Sequence, residues 1–192
     1  MTLKTAPVIA LFTALLCILT IIAHELAHFA AAIAMGGQNV ALHWADITFA
    51  PGSLDATGLA VTWAAGPIIT HLIILWVWLR GRADWPALAL GLGAATRNMI
   101  LLPFTLKFLL GHDVSGFTND EVTVADALAM SPLPLALFAT ALGWSAFVLF
   151  LARAKRSGGW ALLATLLVGT ILGIASWGAI GPILLPGGKG FG

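Results

Sequence analysis

From Pro7 to Met35 the chain is a long apolar run, and three side chains able to carry charge near neutral pH stand inside it: His24, Glu25 and His28, in the pattern H-E-x-x-H. Apart from Cys17 no other ionisable group lies in that run. A stretch of this length and polarity predicts a helix that crosses a bilayer. A charged side chain at the centre of a span costs on the order of 2–3 kcal/mol, so such residues mark a functional site by default. Two imidazoles four residues apart share one helix face, a turn apart, where both can reach one metal ion. Glu25, between them, is placed to act as a general base toward water on that metal.

The rest of the chain supports a membrane setting. Of its 192 residues 60% are hydrophobic and 9% charged, against roughly 25% charged in soluble domains. That predicts a single polytopic membrane domain over 1–192, without a sizeable soluble module. A net charge of +1 with no long basic cluster gives no expectation of nucleic-acid binding. Lone Cys17 excludes a disulfide framework or a thiolate metal site. Although Lys4 followed by an apolar core looks like a secretory signal, the run is too long for one, and the segment reads as a retained transmembrane helix.

Spans are expected at about 7–35, 64–80, 86–110, 133–152 and 160–185. The first ends at Gly36-Gly37, a helix terminator. Residues 38–63 alternate in polarity (Val40, Leu42, Trp44; Leu59, Val61, Trp63) and carry Pro51-Gly52 and Gly58 as turn residues, which predicts a β-hairpin or ribbon. Open sheet edges are not tolerated in lipid, so the ribbon must lie on protein or at the interface. The fold class is thus all-α polytopic: about five transmembrane helices, with a small membrane-associated β-hairpin between the first and second. Gly169-xxx-Gly173 marks a possible helix-packing face in the last span.

With five spans, Lys4, Arg80, Arg82, Arg153, Lys155 and Arg156 fall on one side, with Lys107 and Lys189 on the other. The positive-inside rule makes the first side cytoplasmic. His24, some 17 residues into its helix and so roughly 25 Å along it, lies toward the opposite face. So do the ribbon, the Gly66-Pro67 turn and a polar island from Gly111 to Glu121.

A catalytic zinc site takes three protein ligands, so a third must come from elsewhere. Candidates on the same face are His43, Asp46, Asp55, His71, His112, Asp113, Asp120, Glu121 and Asp126. A ligand that opens a helix near the ends of the first two spans fits best, and Asp120 in Asn119-Asp120-Glu121 does so. Thr118-x-x-Glu121 also reads as a capping box, in which the acids serve the helix N-terminus. Arg97, inside the third span, is either a structural partner for an acid or helix carbonyls, or an oxyanion stabiliser opposite the metal. Trp76, Trp78 and Trp85 near Arg80 and Arg82 predict an interfacial aromatic belt.

His24-Glu25-Leu26-Ala27-His28, then a ribbon, then Ala65-Gly66-Pro67-Ile68-Ile69-Thr70, then Asn119-Asp120 form an ordered series over roughly residues 10–130. This series resembles the site-2 protease family of intramembrane zinc metalloproteases. The resemblance implies Zn²⁺ held by His24, His28 and Asp120, and Glu25 as catalytic base. It also implies a ribbon that adds a membrane-protein or transmembrane-peptide substrate as an extended strand, in a multi-pass protein of the cell membrane. Thr70 and Arg97 would position substrate. Thr70 stands where the family usually has Asn, Asn119-Asp120-Glu121 where it has Leu-Asp-Gly, and no PDZ-like module is expected in these residues. Bacterial members place the site toward the cytoplasm, opposite to the charge count. The alternative is a catalytically inactive or metal-binding scaffold or transporter of the same fold. Five histidines with a single cluster argue against a desaturase-type site, and the distance of Glu121 from the motif argues against a downstream Glu ligand of the gluzincin type.

Overall fold

A computed structural model describes residues 5–81, 84–112 and 119–187. In chain order the elements are α1 (Ala6–Ala34), β1 (Ala41–Leu42), β2 (Ile47–Thr48), α2 (Ala56–Arg80), α3 (Trp85–Met99), α4 (Leu102–Leu109), α5 (Asp120–Ala127) and α6 (Leu133–Leu184). Four helical stretches are long and apolar enough to cross a membrane: Ala6–Ala34, Ala56–Arg80, Trp85–Leu109 and Leu133–Leu184. The molecule is therefore a helical protein of membrane-spanning type, with one small antiparallel hairpin.

Local chemistry sets the helix ends. At the close of α1, Gly36 takes the left-handed conformation (φ 88°), and the amides of Gly36 and Gly37 turn back to the carbonyls of Ile33 and Ala32. That satisfies two of the carbonyls a helix end leaves open. The side chain of Asp55 accepts from Gly58 N at 2.7 Å and starts α2, and Asp84 does the same for α3. Between α3 and α4, Pro103 lacks the amide that would bond Met99, so the helix breaks there and restarts.

Helix α6 has 52 residues and, if straight, would run roughly 78 Å, well beyond a hydrocarbon core of ~30 Å. It is not straight: Gly159 (φ 66°, ψ −164°) interrupts the helical backbone. Before the bend, Phe150 joins Leu88, Leu92 and Val77 in the main apolar core, and Arg153 donates to the carbonyls of Val77 and Trp78 at the end of α2. After the bend, Gly169 and Gly173 lie flat against Ala10, Thr13, Ala14 and Cys17 of α1. The small-residue spacing seen in the sequence thus serves a contact within the chain. Arg153, bonded to Val77 and Trp78, lies at the Arg80 end of α2.

The ribbon is shorter than the expected 38–63. Only two residue pairs ladder, Ala41 with Thr48 and Leu42 with Ile47, and residues 56–63 are the first turns of α2. Likewise Gly66-Pro67, expected to open a span, lies mid-helix, ten residues inside α2. The alternation of Leu59, Val61 and Trp63 did not report a strand because lipid-facing and protein-facing surfaces are both apolar, which blurs the period. The Asp55 cap decides the local conformation instead.

The ribbon rests on protein at its tip. Trp44 N donates to Leu185 O, Trp177 Nε1 donates to Trp44 O at 2.8 Å, and His43 Nδ1 donates to Pro186 O at 2.8 Å. These bonds meet the requirement that backbone polar groups near a bilayer find internal partners.

Candidate metal centre

Helix α1 carries His24 and His28 on its buried face, and α5 brings Asp120 against them. Their ligand atoms form a compact triangle. His24 Nε2 is 3.0 Å from His28 Nε2, and Asp120 Oδ2 is 2.9 Å from the first and 3.4 Å from the second. Among the described residues these three form the group able to hold a metal ion. A tetrahedral ion bound at ~2.0–2.1 Å has ligand atoms roughly 3.3 Å apart, so the spacing fits such an ion.

The outer ring nitrogens fix which atoms face inward. Thr62 O can only accept, so His28 Nδ1 carries the proton in their 2.7 Å bond. Thr70 Oγ1 donates to Gly66 O at 3.1 Å and therefore accepts from His24 Nδ1 at 2.9 Å. Both neutral rings then turn bare Nε2 lone pairs toward Asp120 Oδ2. Three acceptors pointing at one another make an arrangement suited to a cation, and ligating histidines are commonly oriented through the other nitrogen in this way.

Gly66 makes room for them. A Cβ there would fall on His28 Nε2 and lie 2.6 Å from His24 Nε2. The wall of the site is therefore backbone at this point, and Trp63, one turn earlier, packs its ring 5.2 Å from that of His28. Pro67 leaves the Trp63 carbonyl without its helical donor.

Asp120 sits at the first position of α5, but it does not cap that helix. Asn119 does, accepting from Val122 N at 2.8 Å, so the capping residue is Asn119 rather than Thr118, which lies outside the described residues. The Asp120 carboxylate is free to face α1. Burial alone would raise it, but the Arg97 charge beside it outweighs burial and holds it well below the usual carboxylate range. Arg97 Nη2 donates to Asp120 Oδ2 at 2.7 Å and lies 3.4 Å from His24 Nε2. Asn119→Ala should cost about 1 kcal/mol of stability through loss of the cap, read by thermal unfolding in detergent. It should also lower metal affinity, because the first turn of α5 is what aims Asp120.

Three carboxylates lie within electrostatic reach of the single Arg97 guanidinium: Asp120, Glu121 and Glu25. One guanidinium thus faces three carboxyl groups, and its direct bond is to Asp120. Burial, and then the neighbouring Asp120 charge, push Glu121 up to about 7. Its Oε2 is sealed from solvent with no hydrogen-bond partner among the described residues. Glu25 is buried beside the cluster, coupled electrostatically to His28, Asp120, Arg97 and Asp46.

The remaining candidate ligands lie apart from the triangle. His43 is bonded to Thr48 and Pro186 in the ribbon, Asp46 accepts from its neighbour Ile47 N, and Asp55 caps α2. His71 packs edge-on against Phe138. His112, Asp126 and Glu121 do not join the three-ligand group, and Asp113 lies outside the described residues. Thr70 holds His24, and Arg97 holds Asp120. The sequence marked both positions without showing these contacts. It gave no sign of Thr62, whose contribution is a backbone carbonyl, and Gly66 stood out only as a turn residue.

Comparison with family models, curated proteins and solved structures gave no match.

Proposed function

We propose that the protein is an intramembrane zinc metalloprotease of the site-2 protease kind, cutting peptide bonds of membrane-embedded substrates. The observation that carries this reading is the convergence of His24 Nε2, His28 Nε2 and Asp120 Oδ2 beside Glu25, inside an apolar helix. Zinc held by these three would supply a Lewis acid for a scissile carbonyl and a water whose pKa is lowered toward ~7. Glu25 would be the group that takes a proton from an attacking water and returns it to the departing amine. Thr70 and the Thr62 carbonyl keep the imidazoles in the binding tautomer. Substrate enters as an extended strand, since a helix hides its carbonyls, and the short ribbon β1–β2 offers an edge for it. Thr70 and Arg97, at the rim of the cluster, would help position it.

In this reading α6 crosses twice, bending at Gly159, which gives five crossings of the cell membrane. The end bearing Arg80, Arg153, Lys155 and Arg156 faces the cytoplasm. A metal-binding scaffold or transporter would share the cluster but not the cleavage, and that is the line the experiment draws. Purified protein should carry about one zinc per chain and cut a transmembrane peptide in detergent or liposomes. Asp120→Ala should lower zinc affinity by roughly 100-fold or more, because one of three ligands is lost, with cleavage lost alongside. Absence of zinc from a folded wild-type protein would end the metalloprotease reading. Zinc without cleavage of any transmembrane peptide would favour the scaffold.

A further inference from the structure

The Arg97 side chain is part-buried, and its Nη2 meets two of the three atoms that would bind a metal: Asp120 Oδ2 at 2.7 Å and His24 Nε2 at 3.4 Å. It touches the same carboxylate oxygen that faces both imidazoles. A guanidinium in that position satisfies the Asp120 oxygen and the His24 lone pair that the Thr70 bond turns inward. A divalent ion bound to those atoms would stand a few ångströms from a full positive charge, in surroundings of low dielectric constant where like charges repel strongly. The two cations compete for one set of donors.

We propose that Arg97 is a resident counter-cation of the His24–His28–Asp120 cluster, and that a divalent metal must displace it to bind. The inference rests on the metal-site reading above. Two further carboxyl groups stand near enough to receive the displaced side chain. Glu121 and Glu25 both lie within electrostatic reach of Arg97, and Glu121 Oε2 is buried with no partner among the described residues. On metal binding Arg97 would exchange its contact with the ligand Asp120 for one with the carboxyl group beside it. The cluster keeps its acceptors satisfied at the cost of weaker metal binding. An arginine that only positioned Asp120 would have the opposite effect, strengthening the metal site.

The experiment is zinc binding to the purified full chain by competition with a chromophoric chelator, in wild type, Arg97→Leu and Arg97→Lys. Leucine removes the charge and cannot ligate metal. Displacement predicts that Arg97→Leu binds zinc about tenfold or more tightly than wild type, while Arg97→Lys, which keeps the charge, stays within about threefold. Equal or weaker binding by Arg97→Leu would overturn the proposal and leave the metal site standing. No zinc in wild type or variants would overturn both. Should Arg97→Leu fail to fold, a structure of zinc-loaded wild type decides. An Arg97–Asp120 contact opened beyond hydrogen-bond distance, with Arg97 against Glu121 or Glu25, supports displacement; an intact contact refutes it.

Discussion

Glu25→Gln should leave zinc binding intact and reduce peptide cleavage by roughly 10²–10⁴-fold, the usual contribution of a positioned general base. Gln has the shape of Glu and keeps its hydrogen-bonding oxygen, but it cannot accept the proton of an attacking water. Metal binding survives because Glu25 is not among the three residues whose ligand atoms converge. The helix survives because Gln and Glu have nearly equal helix propensity. Metal content by mass spectrometry and cleavage of a transmembrane peptide, measured on the same preparation, separate the two effects. Loss of zinc in Glu25→Gln would make Glu25 a structural member of the site. Full activity would place the base elsewhere.

Gly66→Ala should abolish metal binding while leaving most of the helical fold in place. The added methyl meets two ring nitrogens at once: it falls on His28 Nε2 and lies 2.6 Å from His24 Nε2. Neither ring can retreat cheaply, because Thr62 O and Thr70 Oγ1 hold them from behind. Overpacking of this kind typically costs 1–3 kcal/mol, and here it falls on the atoms that would ligate. Gly178→Ala is the matched control, since a Cβ there meets nothing within 4 Å and alanine favours helix. Zinc affinity and thermal unfolding should both drop in Gly66→Ala and hold steady in Gly178→Ala. If Gly66→Ala binds zinc like wild type, the close approach of α2 to the histidines is not part of the site.

What the sequence could disclose follows from how far each interaction reaches along the chain. His24, Glu25 and His28 were legible because their geometry is set within one helical turn, and their oddity by the apolar residues around them. Helix α1 and its Gly36-Gly37 stop were equally local. Asp120 could be nominated as the opener of a helix near the membrane, but its partner lies 96 residues away, a pairing no periodicity encodes. Arg97 stood out as a charge inside a span, yet only packing shows that it reaches Asp120. Residues 56–63 alternate yet are helical, because alternation means little where both faces of a segment are apolar and the local signal there is the single cap Asp55. Gly66 carried the least warning, since what matters there is the absence of a side chain at a contact between two helices.

The tip of the ribbon also sets an order of events. His43 and Trp44 are held by Pro186 and Trp177, across sequence separations of 143 and 133 residues. A chain made from its N-terminus emerges at about 5–20 residues per second, so α1 and the ribbon wait until Trp177 and Pro186 have been made before those bonds can form. His24 and His28 can be in the membrane early, but the strand edge proposed to receive a substrate is seated only once α6 has arrived. A nascent chain would therefore hold its metal-binding motif well before it could present anything to it.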